Sequence, residues 1–314
     1  MDIVLYALTA FLYVTLCAAD GCALWQRAQV AMGGLPASVK PPAVTRRRVL
    51  RASGMAVWQR ATLLLALLVH CALLHLTIFT QHEMMFGFAF ALSAMFWLGT
   101  AIYWVESFFF ALDGLRLMLL PLSAVASLLP LVFGGVCVLP YAATPLFKLH
   151  FVIANAAYGV FAIAALHAVL MLAVERRLHA LSPSTGARGA HRATSRMWAR
   201  NWLSGWLETL PPLLTLEKCL FRLLAAGFVL LTLTLASGML FNTQLDGHLL
   251  DFDHKTVFSI LAWLMFGALL TARRLSGWRG RAALRWVIAA FVALLLAYVG
   301  SRFVFEVLLH RPVV

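Results

Sequence analysis

Residues 150–174 read HFVIANAAYGVFAIAALHAVLMLAV, from His150 to Val174, and this run decides the fold class. It holds no Asp, Glu, Lys or Arg, and it stops at Glu175-Arg176-Arg177. As a helix it would be about 37 Å long, enough to cross a hydrocarbon layer of about 30 Å. Working outward, similar runs recur at 3–24, 61–80, 86–112, 117–139, 219–240, 256–272 and 286–309. The sequence therefore predicts an all-α, polytopic transmembrane bundle of eight spans. The first span lacks a basic leader and starts Met1-Asp2, so it is expected to be a permanent helix rather than a cleaved signal.

Composition agrees. The 314 residues are 63% hydrophobic and 12% charged, with a mean hydropathy of +0.89. A soluble domain carries about 25% charged residues. The excess apolar surface excludes a soluble enzyme, a disordered chain and a secreted disulfide scaffold. The cysteines Cys17, Cys22, Cys71, Cys137 and Cys219 lie in or beside apolar segments and form no C-x-x-C. They read as packing residues.

The net charge of +13 comes from topology, not nucleic-acid binding. Lys and Arg crowd four segments: 25–60, the turn at Arg116, 175–222 and 273–285. Together these hold 21 of the 25 basic residues. The others are Lys148, Lys255, Arg302 and Arg311. Basic segments stay cytoplasmic, facing anionic lipid. The alternation then requires both termini on the non-cytoplasmic side. Segment 25–60, with Gly33, Gly34, Pro36, Pro41 and Pro42, is expected to be a loop. Trp198, Trp202 and Trp206 share one face and predict an interfacial helix over 196–210. Pro211-Pro212 ends it.

Ionisable residues inside or at the mouth of a bundle are the first candidates for function. His150 opens the fifth span on the outer side. Asp251, Asp253, His254 and Lys255 stand at the outer start of the seventh, and His310 ends the eighth. Neutral imidazole is a ligand for haem iron. Two such imidazoles from different helix ends could clamp one iron, with Lys255 or Arg302 meeting a propionate. The alternative is ordinary loop residues, with Asp253 as a helix cap. A second set is internal: His70 and His167 lie at similar depths from the cytoplasmic side and could ligate a b-type haem, or else be hydrogen-bonded packing residues. Glu106 could pair with Arg116. Thr232, Thr234, Ser237, Gly227 and Gly238 are expected to mark close helix packing.

Several pieces of the second half resemble the cytochrome c assembly family, the haem-handling CcsA/CcmC-type membrane proteins, in its YpjD-like inner-membrane branch. They are Lys148-Leu149-His150-Phe151, Asn155-Ala156-Ala157-Tyr158, Leu210-Pro211-Pro212-Leu213-Leu214-Thr215-Leu216-Glu217 and Gly227-Phe228. Leu231–Gly238, Gly277-Trp278-Arg279-Gly280-Arg281 and Ala297-Tyr298-Val299-Gly300-Ser301-Arg302 complete the set. The resemblance divides the chain into four N-terminal helices (1–147, with the basic loop 25–60) and an assembly-like domain of four helices (148–314). In the wider family a tryptophan-rich outer loop cradles haem between two histidines. The equivalent here is Phe252-Asp253-His254-Lys255-Thr256-Val257-Phe258, where phenylalanine replaces both tryptophans and His254 the proline.

The resemblance implies a bacterial inner-membrane protein that holds haem at the periplasmic face and hands it to apocytochrome c or another assembly protein, a carrier rather than a catalyst. His150 would be an axial ligand, with His254 or His310 opposite. Asp253, Lys255 and Arg302 would shape the mouth. Other expectations compatible with the sequence are a permease or its accessory subunit, a b-type haem protein using His70 and His167, and a tether for a cytoplasmic partner.

Overall fold

A computed structural model describes residues 2–31, 55–80, 83–84, 87–133, 145–180, 212–245, 254–300 and 303–304. The helices are α1 (Asp2–Ala31), α2 (Val57–Ile78), α3 (Phe88–Glu106), α4 (Asp113–Val132), α5 (Pro145–Ala180), α6 (Leu213–Leu245), α7 (His254–Ser276) and α8 (Arg281–Leu295). A π turn, Leu296–Gly300, extends α8. Between α2 and α3 a two-residue ribbon pairs β1 (Phe79–Thr80) with β2 (Glu83–Met84). The first seven helices are long and apolar enough to cross a membrane. The eighth span is described to Gly300, with Phe303 and Val304 beyond it.

Helix ends follow local chemistry. α5 begins at Pro145, five residues before its expected start, because proline suits the first helical position, where no N–H bond is needed. α6 begins immediately after Pro211-Pro212, earlier than residue 219. α4 starts at Asp113 rather than 117, and its first turn buries Asp113 and Arg116. α1 runs on to Ala31, into the segment expected to be loop, since no helix breaker occurs before Gly33. α3 stops at Glu106, whose carbonyl accepts the N–H groups of Phe109 and Phe110 in a tight turn. The predicted 196–210 helix lies outside the described residues.

The helices pack as two rings that share a seam. In the first, α1 touches α2 and α4, and α3 touches the same two. In the second, α5 touches α6 and α8, and α7 touches the same two. The rings meet mainly where α3 packs on α5. Gly159 makes that crossing possible: a Cβ there would lie 2.8 Å from Leu98 Cβ. Large apolar side chains such as Phe11, Leu68, Val152 and Val229 point outward, while Asp20, Arg116, His70 and His167 are buried. That inversion is what a lipid solvent imposes.

Side-chain bonds gather the basic segments at one end of the bundle. Arg60 donates to the Ser107 carbonyl at 2.9 Å. Arg116 pairs with Asp20 at 2.5 Å, and Gln59 donates to the same Asp20 oxygen at 3.0 Å. Glu217 pairs with Arg273 and, at 3.6 Å, with Arg279. Arg281 reaches Glu175 at 3.9 Å. At the opposite end, the Phe88 ring meets Phe133 and Phe303. Phe147, Phe151 and Val299 pack there against Leu74, Ile78 and Phe90.

Candidate functional site

His150 sits in the second turn of α5, at the end of the bundle away from the basic segments. Its Nδ1 lies 2.8 Å from Ser237 Oγ on α6. The one proton of the Ser237 hydroxyl can go to the Thr234 carbonyl, 3.1 Å away, or to Nδ1 itself. In the first arrangement the oxygen accepts from His150 Nδ1–H. That tautomer leaves the Nε2 lone pair as the ligand atom. An N–H held by a fixed acceptor is how metal-ligating histidines are oriented. Gly238 lies against the same ring: a Cβ there would stand 3.4 Å from His150 Cε1, in close contact. The small residues expected to pack α6 closely thus include the pair that seats His150.

His254 and Lys255 are the first residues of α7, and both are exposed. Trp263 of α7 donates to Thr232 of α6 at 2.9 Å, which sets the register of these antiparallel helices. Counting outward from that bond at 1.5 Å per residue, His254 stands about 6 Å beyond the level of Ser237. His150 and His254 therefore share one end of the bundle, with His254 nearer its rim. Asp253, Arg302 and His310 lie outside the described residues. The phenylalanines at this end come from separate elements (Phe88 of α3, Phe133 after α4, Phe151 of α5, Phe303), so no local motif announced them.

His70 and His167 are not brought together. His70 is fully buried and has both nitrogens engaged: Nδ1 with Tyr13 Oη at 3.1 Å and Nε2 with Ser93 Oγ at 2.9 Å. His167 instead faces Glu106, with Nε2 4.0 Å from Oε2. Ser93 and Glu106 are thirteen residues apart on α3, about 20 Å along its axis. The two imidazoles therefore address different levels of the bundle. Equal distance from a helix end does not put the two at one level: their partners on α3, Ser93 and Glu106, stand towards its opposite ends. Glu106 does not meet Arg116, which is bound to Asp20 instead. Cys219 Sγ donates to Glu106 Oε1 at 3.2 Å, so α3, α5 and α6 contribute one side chain each to a small polar cluster.

The model for "Cytochrome C assembly protein" matches residues 58–309. The chain belongs to that family. The match takes in α2, α3 and α4 as well as the stretch 148–302 that carries the resemblance. Among curated relatives, the "Inner membrane protein YpjD" of Escherichia coli K12 is 39% identical over 97 residues, 31% of this chain and 36% of that protein. A 28.8 kDa protein of Azospirillum brasilense is 42% identical over 100 residues, 32% of this chain and 37% of that protein. The "Cytochrome c biogenesis protein CcsA" of Gloeobacter violaceus is 32% identical over 89 residues, 28% of this chain and 26% of that protein. The matched stretch thus spans between 26% and 37% of these relatives' length. No solved structure matches. With its membrane-capable helices, this member of the cytochrome c assembly family is a multi-pass inner-membrane protein.

Proposed function

We propose that the protein serves cytochrome c maturation by holding haem at the His150 end of the bundle, the periplasmic side, for delivery to an apocytochrome or an assembly partner. The observation that carries this is the seating of His150 on Ser237, with Nδ1 2.8 Å from Oγ, at the end of the bundle away from the basic segments. When Ser237 accepts the Nδ1–H bond, Nε2 is the ring nitrogen that would hold the iron. Family membership makes haem the cargo to test. His254, at the rim of the same end, is the candidate for the opposite face of the iron, with His310 the other. Lys255 and Arg302 supply positive charge for the propionates, Asp253 shapes the mouth, and the phenylalanines of this end supply an apolar wall. A carrier needs a grip that releases, and a ligand at a helix end can let go without opening the core.

The test is the haem content of detergent-purified protein from haem-replete cells, measured as pyridine haemochrome. Haem should co-purify with the wild type and fall at least about tenfold in His150→Ala. Equal haem in the two proteins, or none in the folded wild type, overturns the proposal.

A further inference from the structure

At the basic end, far from His150, three donors converge that the haem proposal does not use. His167 is fully buried, and its Nδ1 lies 2.9 Å from the Ile163 carbonyl one turn earlier on α5. A carbonyl can only accept, so Nδ1 carries a proton, and in the neutral ring Nε2 carries a lone pair. That lone pair has no hydrogen-bond partner. It points towards Glu106 Oε2, 4.0 Å away, which is also buried and without a partner. Cys219 Sγ closes the group from α6, and the three ligand atoms lie within 4.8 Å of one another. Two facing lone pairs in a dry interior repel unless something positive stands between them.

We propose that Glu106, His167 and Cys219 bind one divalent transition-metal ion of the zinc class. Nitrogen, oxygen and sulfur from three helices form a donor set that zinc favours, with one position left open. In a tetrahedral site the donors stand about 3.3–3.6 Å apart. The present separations, up to 4.8 Å, need a contraction of about 1 Å at most contacts, within reach of side-chain rotation. Charge also balances. A carboxylate, a thiolate and a neutral imidazole sum to two negative charges, which a divalent ion cancels, so no net charge is left inside the helices. Binding releases the thiol proton to solvent. The His167 Nδ1–H···O=C bond is the outer-shell contact that orients a ligating imidazole. The site ties α3 of the first ring to α5 and α6 of the second.

The full-length protein in detergent, stripped by chelator and reloaded with Co²⁺ or Zn²⁺, tests this. The wild type should take up one ion per chain. Its Co²⁺ form should show a thiolate-to-cobalt charge-transfer band and the strong visible bands of a tetrahedral site. Cys219→Ser should abolish the charge-transfer band. Glu106→Gln and His167→Ala should each weaken Zn²⁺ binding by at least about tenfold. Cys71→Ser, at an exposed cysteine of α2, should change nothing. Folded wild type that takes up no ion, as expected if Glu106 and His167 simply share a proton, overturns the proposal. So does a Co²⁺ spectrum without thiolate character, which needs no variant to fold.

Discussion

In the proposed site Ser237 accepts from His150 Nδ1–H and leaves Nε2 for the ligand, so it is a positioning residue with a distinct signature. Ser237→Ala should weaken haem binding by about 10–100-fold while leaving helix content and thermal stability unchanged. Haem titration beside a melting curve checks both. Unchanged affinity would mean that the hydroxyl has no part in aiming the imidazole. The buried pair at the other end gives a second prediction. Arg116→Leu strands the Asp20 carboxylate and should cost about 3–5 kcal/mol, whereas Asp20→Leu with Arg116→Leu should recover most of the loss. Thermal aggregation in detergent separates these outcomes, and a double variant as unstable as the single one contradicts the assignment. Single residues were legible in the sequence only where one residue type carried the signal. His150 stood out as a histidine opening an apolar run. Glu106 also stood out, but Arg116 looked like its partner because it was near in sequence. Asp20, which takes Arg116, lies 96 residues away from it.

At the scale of elements, the spans could be read directly because lipid demands about 20 apolar residues per crossing. Their ends could not, because Pro145 begins α5 and Pro212 immediately precedes α6, both before the expected apolar stretch. The turn between α7 and α8 has a local cause: Gly277 and Gly280 both adopt positive φ, 65° and 79°, which only glycine accepts without strain. The π turn after α8 left no sequence trace; Tyr158 donates to the Leu294 carbonyl at 2.9 Å just before it. Packing between elements yields a paired prediction. A Cβ at Gly227 would come within 2.9 Å of the Phe161 ring. That ring cannot easily move, being stacked on Phe266 at 3.9 Å between centroids. Gly227→Ala should therefore cost about 1–3 kcal/mol. Gly21, inside α1, has nothing within 4 Å of a built Cβ. Gly21→Ala should be neutral, or stabilising by about 0.4–1 kcal/mol. Equal effects on the melting temperature would refute the packing of α6 on α5.

Across the whole molecule, the positive-inside pattern and the side-chain bonds point the same way. Arg60 with Ser107, Arg116 with Asp20 and Glu217 with Arg273 draw the basic segments to one end, as the distribution of Lys and Arg requires. The two rings follow from chain order: consecutive helices pack antiparallel, and each group of four closes on itself. What chain order did not reveal is how the rings dock. Gly159 against Leu98, and the meeting of Glu106, His167 and Cys219, appear only once α3 lies on α5. Reporter fusions should place the segment 181–195 in the cytoplasm and both termini outside; a cytoplasmic C-terminus would put His150 on the wrong side for a periplasmic carrier. The most direct test of haem ligation at that end is the absorption spectrum of His150→Gly protein with and without added imidazole. A Soret band present in the wild type, absent from the variant and restored by imidazole is the predicted result. A variant that keeps the wild-type band without imidazole would contradict the account.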